Sequence, residues 1–258
     1  MSNKADFQQY YLRQIGVSTP LSQSDANHRQ EEGAQAPSSA VSGTLDASVC
    51  VQATVGAEVA ESASPHLTGG EALPGNLADL RAAAASCRAC GLSEQRRQVV
   101  FGQGSEQPEV LFIGEAPGEQ EDAQGEPFVG PAGQLLNRML GSVHWSREQV
   151  YIMNIIKCRP PRNRDPKPEE IQACSRWFDA QWDVLQPRLV CLLGRVAAQR
   201  VLGSDAPLSA LRGHWHEYRG VPVLVSYHPS YLLRSPVSKA TAWQDFRNLA
   251  ERSRMIKS

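Results

Sequence analysis

The sequence predicts an α/β protein with a largely parallel sheet covered by helices on both faces. Four short apolar runs, at 110–113, 150–156, 189–193 and 221–225, alternate with segments of helical period. Apart from Asn154, the runs are apolar rather than alternating, as expected of strands buried on both faces. Three of them lead into loops unusually rich in Gly, Pro, Arg and acidic residues. In parallel sheets such loops, at the carboxyl ends of strands, carry function.

Taken in order, Asn76 to Ser86 reads as an Ala-rich helix capped by Asn76. Val110 to Ile113 is the first strand, and Gly114 to Pro131 is a long loop. Ala132 to Leu140 reads as a helix and Val150 to Ile156 as the second strand. Arg159 to Pro168 is a Pro/Arg loop. Glu169 to Leu185 forms a helix with Ile171, Cys174, Phe178, Trp182 and Leu185 on one face. Leu189 to Leu193 is the third strand, and Val196 to Leu202 is a helix. Val221 to Val225 is the fourth strand, with Trp215 to Tyr218 as a pairing partner. Ala240 to Arg254 closes the domain as a helix.

The chain of 258 residues divides before this domain begins. No Phe, Tyr or Trp stands between Tyr11 and Phe101. Residues 21–75 are dominated by Ala, Ser, Gly, Gln and Glu, which bury too little apolar surface to offset ordering of the backbone. They are expected to form a disordered linker. Residues 1–20 differ: Phe7, Tyr10, Tyr11 and Ile15 recur at roughly helical spacing. Residues 5–15 therefore form a candidate amphipathic motif, either docked on a partner protein or strapped onto the domain. Residues 76–258 make up the folded domain.

The formal net charge of −1 conceals a contrast. Residues 1–76 hold three basic and eight acidic residues, net −5, whereas residues 77–258 carry 23 basic and 19 acidic residues, net +4. Of those 23 cations, 19 are Arg, the side chain suited to bidentate phosphate contact. No apolar stretch is long enough to span a membrane, and no secretory leader pattern opens the chain. A cytoplasmic protein is expected.

Six cysteines are present. Cys191 lies in an apolar strand and Cys50 in the linker. The other four form Cys87-x2-Cys90, then, after 67 residues, Cys158-x15-Cys174. Four thiols so spaced suit an iron–sulfur cluster or zinc, or stand unligated. Arg159, Arg162, Arg164 and Lys167 adjoin Cys158.

Four motifs occur in order alongside these cysteines: GEAPGEQED (114–122), EPFVGPAG (126–133), NIIKCRPPRNRDP (154–166) and YHPSYLLR (227–234). With them the chain closely resembles the family 4 uracil-DNA glycosylases over about residues 77–250. The resemblance implies a three-layer α/β/α sandwich with a central four-stranded, mainly parallel sheet. It implies hydrolysis of the bond between uracil and deoxyribose in uracil-containing DNA, and a monomer. It also implies one [4Fe–4S] cluster on Cys87, Cys90, Cys158 and Cys174.

The chemistry fits the residues that match. Asn154 offers one acceptor and one donor, matching uracil N3–H and O4. Phe128 is the aromatic expected to stack on the flipped base. His228 is expected to donate to the charge developing on uracil O2. Glu115, Ala116 and Pro117 line the base site in this reading. Ala116 has no group to hold water, so Glu115 is the first candidate for positioning water or stabilising the sugar cation. Glu121 is the candidate for excluding the thymine methyl. Tyr231, Leu232 and Leu233 read as an intercalating wedge followed by Arg234, with one of the two leucines expected in the core. Arg162 and Arg164 are candidate phosphate contacts. Two other readings compete: an iron–sulfur relative that holds uracil-DNA with little turnover, and a non-catalytic DNA-binding module associated with replication.

Overall fold

The computed structural model describes Arg13, Ile15, Gly16 and residues 73–257. Residues 21–72 of the expected linker and most of the N-terminal motif thus lie outside the described residues. Helix α1 (Leu77–Ala85) is capped by Asn76, whose Oδ1 accepts the Asp79 N–H at 2.9 Å. A 3-10 turn (Gly91–Glu94) and a two-residue strand β1 (Gln103–Gly104) lead into β2 (Leu111–Gly114). Helices α2 (Glu119–Gln124) and α3 (Pro131–Ser142) follow. Next come β3 (Tyr151–Asn154), a 3-10 turn (Pro161–Asn163), α4 (Pro168–Leu185) and β4 (Val190–Leu193). After α5 (Arg195–Leu202) and α6 (Leu208–Leu211), the hairpin β5 (Trp215–Tyr218) and β6 (Val221–Ser226) completes the sheet. Helix α7 (Pro229–Arg234), a 3-10 turn (Pro236–Ser238) and α8 (Lys239–Lys257) end the fold.

The sheet has six strands in the order β1-β3-β2-β4-β6-β5. Its four central strands are mutually parallel, as expected, and one antiparallel strand is added at each edge. β2, β3 and β4 are buried at every residue, which explains why they are apolar up to Asn154 at the tip of β3. Side chains alternate between two cores. Leu111 and Ile113 join Met153, Leu192 and Val225 against α1, α4 and α5, including Trp177, Phe178 and Trp182. Phe112 joins Ile152, Cys191 and Leu224 against α3 and α8, including Leu136, Met139 and Phe246. This gives three layers, helix, sheet and helix. Ile15 belongs to the second core and is buried there.

The chain leaves β2 toward β3 on one side, and β4 takes the place on the other. The connections therefore diverge between β2 and β4, and a crevice opens beyond their carboxyl ends.

Two expected loops contain helices. The acidic segment after β2 holds α2, and the expected wedge loop folds as α7 from Pro229 onward. Proline at the first helical position, with its φ already suitable, starts α7 immediately after the His228 cap.

Candidate active site

A pocket of about 440 Å³ lies at the carboxyl ends of the four parallel strands. Glu115, Ala116, Pro117 and Gly118 enter it after β2, Asn154 at the end of β3, Gly194 and Arg195 after β4, and His228 after β6. Phe128 and Glu121 close another wall. Every residue expected at the base site is therefore in one cavity.

Parallel register pairs Gly114 with Asn154 at the tips of β2 and β3. Asn154 is 1% exposed, and its Oδ1 has no hydrogen-bond partner among the described residues. A buried amide oxygen left unpaired costs about 1–3 kcal/mol unless a ligand satisfies it. The Asn154 backbone carbonyl accepts a 2.8 Å bond from the Lys157 ammonium, which fixes the strand end.

Phe128 is buried beside His228, with ring centroids 5.5 Å apart and planes inclined by 34°. Its φ is +54°, an uncommon conformation for a bulky side chain. Glu121 Oε1 accepts from the N–H groups of Val129 and Gly130, both at 2.9 Å. Glu121 thus lies in the pocket wall and anchors the Phe128 loop as well.

His228 caps α7. The Ser230 backbone N–H donates to His228 Nδ1 at 3.2 Å, and the Ser230 hydroxyl lies 2.8 Å from the same nitrogen. Nδ1 is therefore an acceptor, and a neutral ring carries its hydrogen on Nε2. Burial, reinforced by Arg234, pushes the imidazole pKa down to about 4. A neutral donor faces the pocket at physiological pH.

Glu115 behaves oppositely. Burial raises its carboxyl to about 7, helped by the nearby Asp165 charge and opposed by Arg195. Asp165 and Arg195 are themselves paired at 2.7 Å. The Gly194–Arg195 turn was missed as a functional loop in the sequence. Its only signal was a glycine ending an apolar run, shared by many structural turns. Gly194 has φ +93°, and a Cβ there would lie 2.9 Å from the His228 Cβ.

The expected DNA-contacting residues separate. Tyr231 and Leu233 are 38% and 41% exposed, and Arg234 is exposed beside the pocket. Leu232 is wholly buried in the core shared with α3 and α8, which removes it from the wedge. Helical geometry is the reason, because α7 turns Leu232 inward while its neighbours face out. Arg162 is exposed. Arg164 instead grips Glu170 in a two-pronged bond of 2.8 and 2.6 Å, so its guanidinium holds the loop onto α4.

Cys87, Cys90, Cys158 and Cys174 line one small cavity with Arg96, Lys157 and Trp177. Arg96 Nη1 lies 3.1 Å from Cys158 Sγ, and the Lys157 N–H lies 3.3 Å from Cys174 Sγ. Among the described residues, no group of three or more His, Cys, Asp or Glu is placed to hold a single metal ion. Cys191 is buried in β4, as expected of a core cysteine.

Comparison with known proteins agrees with this architecture. A model described as the uracil DNA glycosylase superfamily matches residues 101–247. A type-4 uracil-DNA glycosylase of Archaeoglobus fulgidus is 41% identical over 174 residues, covering 64% of this chain and 87% of the relative. One from Thermotoga maritima is 42% identical over 151 residues, covering 58% and 79%. One from Sulfurisphaera tokodaii is 38% identical, covering 64% and 80%. The chain belongs to the uracil-DNA glycosylase superfamily and, within it, to the type-4 family.

Proposed function

We propose that this chain hydrolyses the N-glycosidic bond of uracil in DNA, leaving an abasic site for base excision repair of deaminated cytosine. The observation that carries the reading is the unpaired Asn154 Oδ1, buried in a pocket walled by Phe128 and His228. Uracil N3–H donates to this oxygen, and the Asn154 Nδ2 group donates to uracil O4. Cytosine presents the reverse pattern and leaves buried groups unpaired, at about 1–3 kcal/mol each. Phe128 stacks on the extruded base, a contact worth about 1–3 kcal/mol. Tyr231, Leu233 and Arg234 contact the DNA beside the pocket, and exposed Arg162 meets phosphate.

In the reaction, the bond from C1′ to N1 breaks and its electron pair leaves with uracil. His228 Nε2–H donates to O2, where negative charge gathers in a partly dry site. Water adds to C1′, and its proton passes to the Glu115 carboxylate. Glu115 therefore acts in its ionised form. Ala116 and Pro117 contribute backbone and shape, and Glu121 narrows the wall against the thymine methyl. Single-turnover release of uracil from a labelled oligonucleotide tests these roles. His228→Ala is expected to slow release at least a hundredfold, about 3 kcal/mol of lost stabilisation. A loss below tenfold contradicts the role.

We also propose a [4Fe–4S] cluster held by Cys87, Cys90, Cys158 and Cys174. The donor set and its surroundings support it. Lys157 and Arg96 bring positive charge beside the thiols, and buried cations require compensating negative charge. Burial holds the uncharged Cys174 thiol up at about 12, and the Lys157 ammonium down at about 8. An anionic thiolate centre relieves both. The indole N–H of Trp177, which lines the same cavity, is buried without a partner among the described residues and would be available as a further donor. When bound, the cluster ties the segment after α1 to the loop after β3 and to α4.

Residues 5–15 remain our proposed contact for a repair or replication protein, with the enzyme a monomer in the nucleoid. Ile15 is buried in the domain's own second core, which takes this residue out of the partner contact and supports a strap onto the domain at the end of the motif. Deletion of residues 1–12 with loss of a captured partner, but unchanged excision, is the expected outcome.

A further inference from the structure

The Phe128 platform is held in place by Arg147, a residue that does not line the pocket. Arg147 lies in the turn before β3 and is half-buried. Its Nη2 donates to the Pro127 carbonyl at 2.7 Å and to Gln103 Oε1 at 3.1 Å. Its Nη1 donates to the Phe128 carbonyl and to Asn137 Oδ1, each at 3.1 Å. One guanidinium thus joins β1, α3 and the two residues that carry the aromatic ring. Only the planar fork of Arg spans four acceptors in this way.

The loop needs such a grip. Phe128 has φ +54°, a conformation that persists only where its surroundings over-determine it. Three contacts do so. Arg147 takes the carbonyls of Pro127 and Phe128, and Glu121 takes the N–H groups of Val129 and Gly130. Gly133 admits the Phe128 carbonyl so closely that a Cβ there would lie 1.8 Å from the oxygen. Cation, anion and bare glycine together fix both faces of one short segment.

We propose that Arg147 is a positioning residue for uracil excision: it holds Phe128 in the conformation that stacks on the flipped base. This rests on the stacking role assigned to Phe128 above. Pre-organisation of this kind spares the ordering cost when the base arrives, so its loss falls on base capture and the chemical step. Association with DNA lacking uracil uses other groups and is untouched.

The test is a double-mutant cycle in the full chain with Arg147→Met, Phe128→Ala and the pair. Single-turnover excision and affinity for uracil-free duplex are both measured. Each single variant is expected to lose about tenfold or more in excision rate, and the pair to fall within about threefold of Phe128→Ala alone. Affinity for uracil-free duplex stays at the wild-type value. If Arg147→Met does not fold, Gln103→Ala with Asn137→Ala removes two acceptors and leaves the cation in place. A loss of about two- to fivefold that vanishes in the Phe128→Ala background is then expected. Losses that multiply in the combined variant, or a parallel fall in affinity for uracil-free duplex, overturn the inference while leaving the stacking role intact. A silent Phe128→Ala overturns the stacking role, and the inference with it.

Discussion

Gly114 and Asn154 face each other across neighbouring parallel strands, and the missing side chain of one makes room for the amide of the other. A Cβ on Gly114 would lie 2.5 Å from Asn154 Oδ1 and 2.7 Å from Phe128 Cζ. The backbone at Gly114 is unstrained, so glycine is needed here for close approach alone. Gly114→Ala is expected to lower kcat/KM for uracil excision at least tenfold, about 1.4 kcal/mol or more, by displacing both Asn154 and Phe128. Its affinity for uracil-free duplex should match wild type, as measured by titration of a labelled oligonucleotide.

Two titratable groups of the pocket, His228 and Glu115, are expected to set its pH dependence. His228, held at about 4, stays neutral from pH 5 upward and contributes no limb there. Glu115, raised to about 7, must lose its proton to accept one from water. The single-turnover rate is therefore expected to rise through pH 7 and level off above it. Asp165→Asn should move this limb to lower pH, because Asp165 raises the Glu115 value. Arg195→Met should move it to higher pH, because Arg195 lowers that value. Opposite displacements in rate profiles from pH 5 to 9 identify Glu115 as the titrating group.

Stability should follow the same carboxyl with a definite sign. A carboxyl raised from 4.5 to about 7 favours the folded state fully below 4.5 and loses that favour as pH rises through 7. Gln resembles the protonated form. Glu115→Gln is thus expected to melt above wild type at pH 8, with the gap closing toward pH 4.5. Such stabilisation accompanied by loss of excision is the mark of a functional group kept at a cost to the fold.

Much of this was legible in the sequence, for physical reasons that vary by element. Strands buried on both faces are largely apolar, so β2, β3 and β4 announce themselves in runs such as 189–193. Asn154, Phe128 and His228 stand where such runs end or where a polar loop holds a lone aromatic. The edge strand β1 has two residues and no apolar face, so no periodicity marks it. Helix α2 is polar along most of its length and short, which makes it read as loop. Leu232 and Leu233 are identical in type, and only the helical phase of α7 separates core from surface. Arg147 was invisible because its four acceptors come from segments far apart in sequence. Arg195 likewise matters only through the Asp165 and Glu115 that folding brings to it.

The cysteine centre gives a prediction independent of catalysis. Purified protein is expected to absorb in the violet and blue and to contain iron. Cys158→Ser should lose that absorption and lower the melting temperature, since a cluster that binds only the folded state stabilises it by mass action. Colourless, iron-free wild-type protein that melts unchanged after chelation contradicts the assignment.

Recognition of uracil is proposed to rest on Asn154. Single-turnover release of the base from oligonucleotides that differ only in uracil or cytosine at one position, by wild type and Asn154→Ala, tests it most directly. Wild type is expected to release uracil, leave an alkali-labile abasic site and spare cytosine. Asn154→Ala is expected to slow uracil release about a hundredfold or more, the loss of two buried hydrogen bonds at about 1–3 kcal/mol each. Absence of uracil release by wild type, or an Asn154→Ala variant that excises uracil at the wild-type rate, contradicts it.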